Sequence, residues 1–208
     1  MLPFRRRAGI CLSSQWWPCA VVLACLGFTA GLVQAQEVRL QFEPSKTNIA
    51  FTLGDILHTV HGSFQLRRGD VEYNVVTKLV SGDLVVDATS GQSGNHSRDH
   101  KMHKEILESD HYPDISFRPD RVEGTVAPGT TSTVQVHGIF SIHGTDHELT
   151  MPVRVTIFPD HWTADTNFTI PYVKWGIKNP STFVLRVSES VEIDVHATGT
   201  NPPGAGAR

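Results

Sequence analysis

From Val38 onward, apolar side chains return at every second position in run after run, and this alternation constrains the fold more than any other feature of the chain. Val38, Leu40 and Phe42 set the period, followed by Ile49, Phe51 and Leu53 and then by Phe64 and Leu66. Successive side chains of a strand point to opposite faces, so a period of two describes a strand with one buried face. The same reading predicts strands over 70–79, 83–88, 115–123, 133–142, 147–158, 162–170 and 182–197. In the last of these, Phe183, Leu185, Val187, Val191, Ile193 and Val195 all fall on odd numbers. Turn chemistry punctuates the runs at Arg67-Arg68-Gly69-Asp70, Ser81-Gly82-Asp83, His143-Gly144-Thr145-Asp146, Pro159-Asp160 and Asn179-Pro180-Ser181. Eight or nine strands joined mostly by short turns pair antiparallel, as a barrel or a sandwich.

One stretch departs from the period. Between Ser97 and Ser109, Met102 and Ile106 stand at helical spacing, with Ser97 as the expected N-cap and Tyr112-Pro113 as a stop. The Gly/Ser stretch from Ser90 to Gly94 reads as a flexible connection into it, and the tail from Asn201, rich in Gly, Ala and Pro, as disordered.

The first 35 residues follow another logic. Arg5, Arg6 and Arg7 precede a largely apolar stretch from Trp16 to Val33, and Val33-Gln34-Ala35 puts small residues where a signal peptidase reads them. The expectation is a signal peptide over 1–35 cut after Ala35, one domain over 36–198 and a tail over 199–208. A membrane anchor fits less well because Pro18, Gly27 and Gly31 interrupt the apolar stretch, and a lipidation site at Cys25 suits the preceding Leu23 poorly. The chain is then periplasmic or secreted, and no transmembrane segment is expected in its mature part.

All three cysteines, Cys11, Cys19 and Cys25, lie in that leader. The mature chain therefore has no disulfide, no thiol nucleophile and no cysteine-ligated metal. Its 15 basic residues against 21 acidic ones leave it at −6, which disfavours a nucleic-acid binder. Nucleophile-elbow, phosphate-loop and dinucleotide motifs are absent, and no acid–base pair stands out, so no catalytic residue is assigned and the chain is not read as an enzyme.

Three segments carry a family resemblance. Asn95-His96-Ser97-Arg98-Asp99 leads through Met102 to Ser109 into Tyr112-Pro113-Asp114-Ile115-Ser116-Phe117; Val136 to Thr145 leads to Met151-Pro152-Val153; and Phe168 to Ile177 ends in Trp175-Gly176-Ile177. Together they resemble the YceI-like family over most of the span from Gln36 to Ala197. The resemblance implies an all-β fold, a single extended eight-stranded antiparallel barrel of lipocalin-like shape with one or two short helices in the connections. It further implies an exported bacterial protein that holds an isoprenoid-type or other amphiphilic lipid along the barrel, with no cofactor. The His-rich helix and His137 ahead of Gly138 depart from the family pattern and leave the ligand open.

Large apolar residues on the phase assigned inward are the expected lining: Phe51, Leu53, Phe64, Leu66, Phe117, Phe140, Ile142, Phe168, Phe183 and Leu185. Arg98, Lys101 and His100 are the candidates to meet a lipid head group. His96, His100 and His103, spaced i, i+4 and i+7, would share one helical face and form the candidate metal set, and His143 and His147 flank a turn as a further pair. Tyr172, Trp175 and Trp162 are candidates for an aromatic rim. Besides the lipid carrier, two readings stay open: a His-dependent metalloprotein, and a structural envelope protein whose barrel is filled by its own side chains. A homodimer is compatible with a barrel of this size.

Overall fold

The computed structural model describes residues 37–54, 59–127, 129–181 and 186–200. The proposed signal peptide, Phe183, Leu185 and the tail after Thr200 lie outside the described residues.

Among the described residues, nine strands form one closed antiparallel sheet: β1 (Glu37–Phe42), β2 (Asn48–Gly54), β3 (Thr59–Asn74), β4 (Val80–Gln92), β5 (Asp114–Glu123), β6 (Thr131–Ile142), β7 (Thr145–Ile157), β8 (His161–Ile170) and β9 (Val191–Thr200). They make an eight-stranded barrel, because β1 and β2 share one position in the ring. Both lie between β3 and β9: β1 pairs with residues 70–74 of β3, and β2 with residues 59–64. Pro44, which has no N–H to give a ladder, starts the one-turn 3₁₀ helix Pro44–Lys46 that separates the two. Pairing of β3 with β4 closes the ring.

Inward positions are those of the sequence period, with phase changes at irregular points of the ladder. In β3, Phe64 and Leu66 face inward on even numbers and Val71 and Tyr73 on odd ones, because the register with β4 shifts between Leu66 and Arg68. The turns expected at Arg67–Asp70 and Ser81–Asp83 are therefore not turns. Both sit inside long strands, where Asp70 pairs with Asp83 and Val71 with Gly82, and the chain reverses instead between Asn74 and Val80. The Ser90–Gly94 connection is also mostly strand, since β4 runs to Gln92. At the other extreme, β9 begins at Val191 rather than at Thr182. The His143–Gly144 and Pro159–Asp160 reversals stand where expected.

The helix α1 (His96–Lys101) starts two residues earlier than expected: Asn95, not Ser97, is its N-cap, and the Asn95 side chain accepts from the Arg98 N–H at 3.1 Å. It runs on as a wide π-type turn, Met102–Ile106, closed by a 2.8 Å bond from Leu107 N–H to Met102 O. Behind it and the segment after β8, Ala88, Leu107, Ile115, Phe140, Ile142, Ile170, Tyr172 and Ile177 make a packed core that caps this end of the barrel. Among the described residues no helix is long and apolar enough to cross a membrane.

Candidate functional site

Beyond that cap the barrel encloses a cavity of about 1180 Å³. An eight-stranded barrel can be filled by its side chains or hold a slender guest. Here the inward residues leave room: Val191, Ile193 and Val195 on β9, like Phe117 and Phe168, face inward yet are only half-buried. The inward side chains of the described residues thus do not fill the barrel.

Phe51, Leu53, Phe64, Leu66, Phe117, Phe140, Ile142 and Phe168 all stand on the cavity wall. Several wall residues were not singled out from the sequence. Val38, Leu40 and Phe42 were legible as a strand, but nothing local tells that β1 enters the ring beside β3. Met151, Val153 and Val155 share one phase of β7 with the same signal. Met102 and Ile106 reach the wall from the π-type turn.

The aromatic rim is not present. Trp162 lies inside the barrel at 1% exposure, and Tyr172 is buried, its hydroxyl donating to Ser188 O at 2.5 Å. Burial, with Glu189 nearby, pushes the Tyr172 phenol up to about 12, so it stays a neutral donor. Trp175 stacks on His147 at 4.2 Å and 4° and meets Phe140 at 5.8 Å. Tyr172 and Trp175 pack the capped end, whereas Trp162, at the start of β8, lies toward the other.

The helix histidines do not converge. His96 and His100 are exposed on α1, whereas His103 turns back to the barrel, where Nε2 bonds Gly91 O at 2.8 Å and Nδ1 bonds Ser109 Oγ at 3.1 Å. The π-type turn breaks the regular 3.6-residue spacing on which the shared face depended. His143 and His147 also separate, His143 against Tyr112 with ring centroids 4.4 Å apart and His147 against Trp175. Among the described residues no three His, Cys, Asp or Glu side chains form a group that could hold a metal ion.

Of the head-group candidates, Arg98 and Lys101 stand on the cavity wall and His100 does not. Ser93, Asn95 and Ser97 join them there, so both charged side chains of the described wall stand on α1 among neutral polar neighbours. Outside the barrel, charge is balanced in pairs such as Arg39 with Asp70 at 2.6 Å and Arg68 with Asp83 at 2.7 Å.

A closed antiparallel barrel around an apolar cavity is the class that this fold and interior define. The chain belongs to the YceI-like family, whose domain matches residues 40–199. No curated protein matches it. Among solved structures, BcnA of Burkholderia cenocepacia is similar with a TM-score of 0.62 at 17% identity, covering 76% of this chain and 98% of BcnA. A polyisoprenoid-binding domain of Saccharophagus degradans, implicated in plant cell wall breakdown, gives 0.61 at 14%, with 78% and 98% covered. The YceI protein of Campylobacter jejuni gives 0.57 at 13%, with 70% and 87% covered. At these identities the likeness is one of fold.

Proposed function

We propose that this protein is exported and carries a long apolar amphiphile, of isoprenoid type, along the barrel interior through an aqueous compartment. The observation that carries the reading is the cavity of about 1180 Å³ with its almost wholly apolar wall, above the roughly 300–1,000 Å³ of common small-molecule sites. At about 0.8 kcal/mol per buried CH₂, each isoprene unit contributes roughly 3 kcal/mol before association costs, so a few units suffice for tight binding. Among the described residues the wall has no histidine, aspartate or glutamate to act as acid or base, which favours a carrier over a catalyst. Membership of the YceI-like family and the fold shared with a polyisoprenoid-binding domain support the same ligand class. Native mass spectrometry of the protein purified untagged from its host's extracytoplasmic fraction tests both parts. The expected result is a chain beginning at Gln36 with an adduct of several hundred daltons that leaves on organic extraction. An uncut chain confined to the cytoplasm would overturn export, and a chain that neither retains nor takes up a prenyl lipid would overturn the carrier.

A further inference from the structure

We propose that the amphiphile is an anion whose phosphate or carboxylate head sits on Arg98 and Lys101 at the α1 end, an inference that rests on the carrier reading above. Among the described residues the cavity wall bears two charged side chains, both cationic, and no acid. Elsewhere the basic side chains largely have their own carboxylates: Arg67 has Asp87 and Asp114, Lys104 has Asp110, and Lys178 has Glu105. Arg98 and Lys101 enter no direct ion pair with a described carboxylate, so the wall carries positive charge at one end of an apolar chamber.

The two are also held in place. Arg98 Nε donates to Ser93 Oγ at 2.7 Å and Nη2 to Ser93 O at 2.8 Å. Ser93 is anchored in turn by donating from its N–H, at 2.8 Å, and from its hydroxyl to Asp99 Oδ1. The acid on this helix is thus engaged by Ser93, and the guanidinium keeps Nη1 uncommitted. Lys101, three residues on and so on the same side of the helix, reaches Pro180 O at only 3.5 Å, a weak contact that an anion readily replaces. Ser97 and Asn95, also on the wall, add a hydroxyl and an amide as neutral donors. A guanidinium held by Ser93 with a more mobile ammonium beside it, both at the open, solvent-facing part of the wall, is suited to the oxygens of a phosphate or carboxylate. The arrangement also gives the ligand a direction, with its head beside α1 and its tail running toward Tyr73 and Val126 at the far end.

The test is equilibrium binding of two matched probe pairs to the full mature protein freed of lipid: farnesyl phosphate against farnesol, and oleate against oleyl alcohol. At least one anion should bind roughly tenfold or more tighter than its alcohol, the scale of a charge-assisted hydrogen bond. The pair with the larger ratio identifies the head as phosphate or carboxylate, and either ordering supports the proposal. In Arg98→Gln/Lys101→Gln the ratio should fall to roughly twofold or less, while Lys104→Gln, on a lysine outside the cavity, should keep it. Because Arg98 also holds Ser93, Lys101→Gln alone serves as the second variant, expected to lower the ratio with an unchanged unfolding midpoint. Equal binding of anions and alcohols, or a ratio that the double variant does not change, overturns the head-group site and leaves the carrier standing. No binding of any of the four probes overturns both.

Discussion

Phe42 meets the indole of Trp162 edge-on, ring centroids 4.6 Å apart at 74°, although their strands are not neighbours in the barrel. The residue between them is Gly199, which pairs with Phe42 on one side and with Trp162 on the other. A Cβ at Gly199 would run into the six-membered ring of Trp162, so the contact exists because the middle strand has no side chain there. The three residues tie β1 to β8 across β9.

Gly199→Ala should accordingly destabilise the protein by roughly 1–3 kcal/mol, as overpacking does, and Gly199→Val by more. Trp162 makes no hydrogen bond through its indole N–H among the described residues, so Trp162→Phe in the Gly199→Ala background should recover part of the loss. Urea unfolding of the two variants checks this, and equal stability of wild type and Gly199→Ala would refute it.

His103 ties the π-type turn to the barrel wall through Gly91 O and Ser109 Oγ. Ser109 is 2% exposed, so its hydroxyl has no water to turn to when the imidazole is removed. His103→Ala should cost about 1–3 kcal/mol, and His100→Ala, on an exposed ring, close to nothing. Thermal unfolding of the two variants makes the comparison.

The inward face can be separated from the outward one by a charge. Ile193 faces the cavity and Glu192 faces solvent, one residue apart on β9. Ile193→Asp should abolish the enhancement of an environment-sensitive apolar dye, and Glu192→Gln should leave it intact. The dye titration distinguishes them, provided circular dichroism shows that both variants keep their strands.

Stability should fall in acid from about pH 4 downward. The Thr89 hydroxyl, at 2.6 Å, and then Arg67 hold the Asp87 carboxyl below its usual value, and Arg39 does the same for Asp70. A carboxyl whose pKa is lower folded than unfolded stabilises above the unfolded value and loses that contribution as pH falls through the folded one. Thr89→Val should lower stability at pH 7 by about 0.5–1.5 kcal/mol and narrow the difference between pH 7 and pH 3. Denaturant titrations at the two pH values measure it.

The period-two pattern determined a great deal by itself. It is a local property, since each strand's buried face is written in its own residues, and it was enough to place Phe51, Leu53, Phe64, Leu66, Phe117, Phe140, Ile142 and Phe168 on the wall. The family resemblance supplied the barrel and its eight strands. Where the period changed phase, local reading failed: charges and a glycine at Arg67–Asp70 look the same in a turn and in a strand with a shifted register. Only pairing with β4, which is non-local, decides between them. His103 went the same way, because a π-type turn redirected its side chain toward partners on β4 and beyond the turn that no spacing rule announces. The tertiary structure also decided that Phe42 and Trp162 meet across Gly199, and that the ring closes wide enough to leave a cavity. Strand count, tilt and register together set that width, and none of these is a property of one segment of sequence.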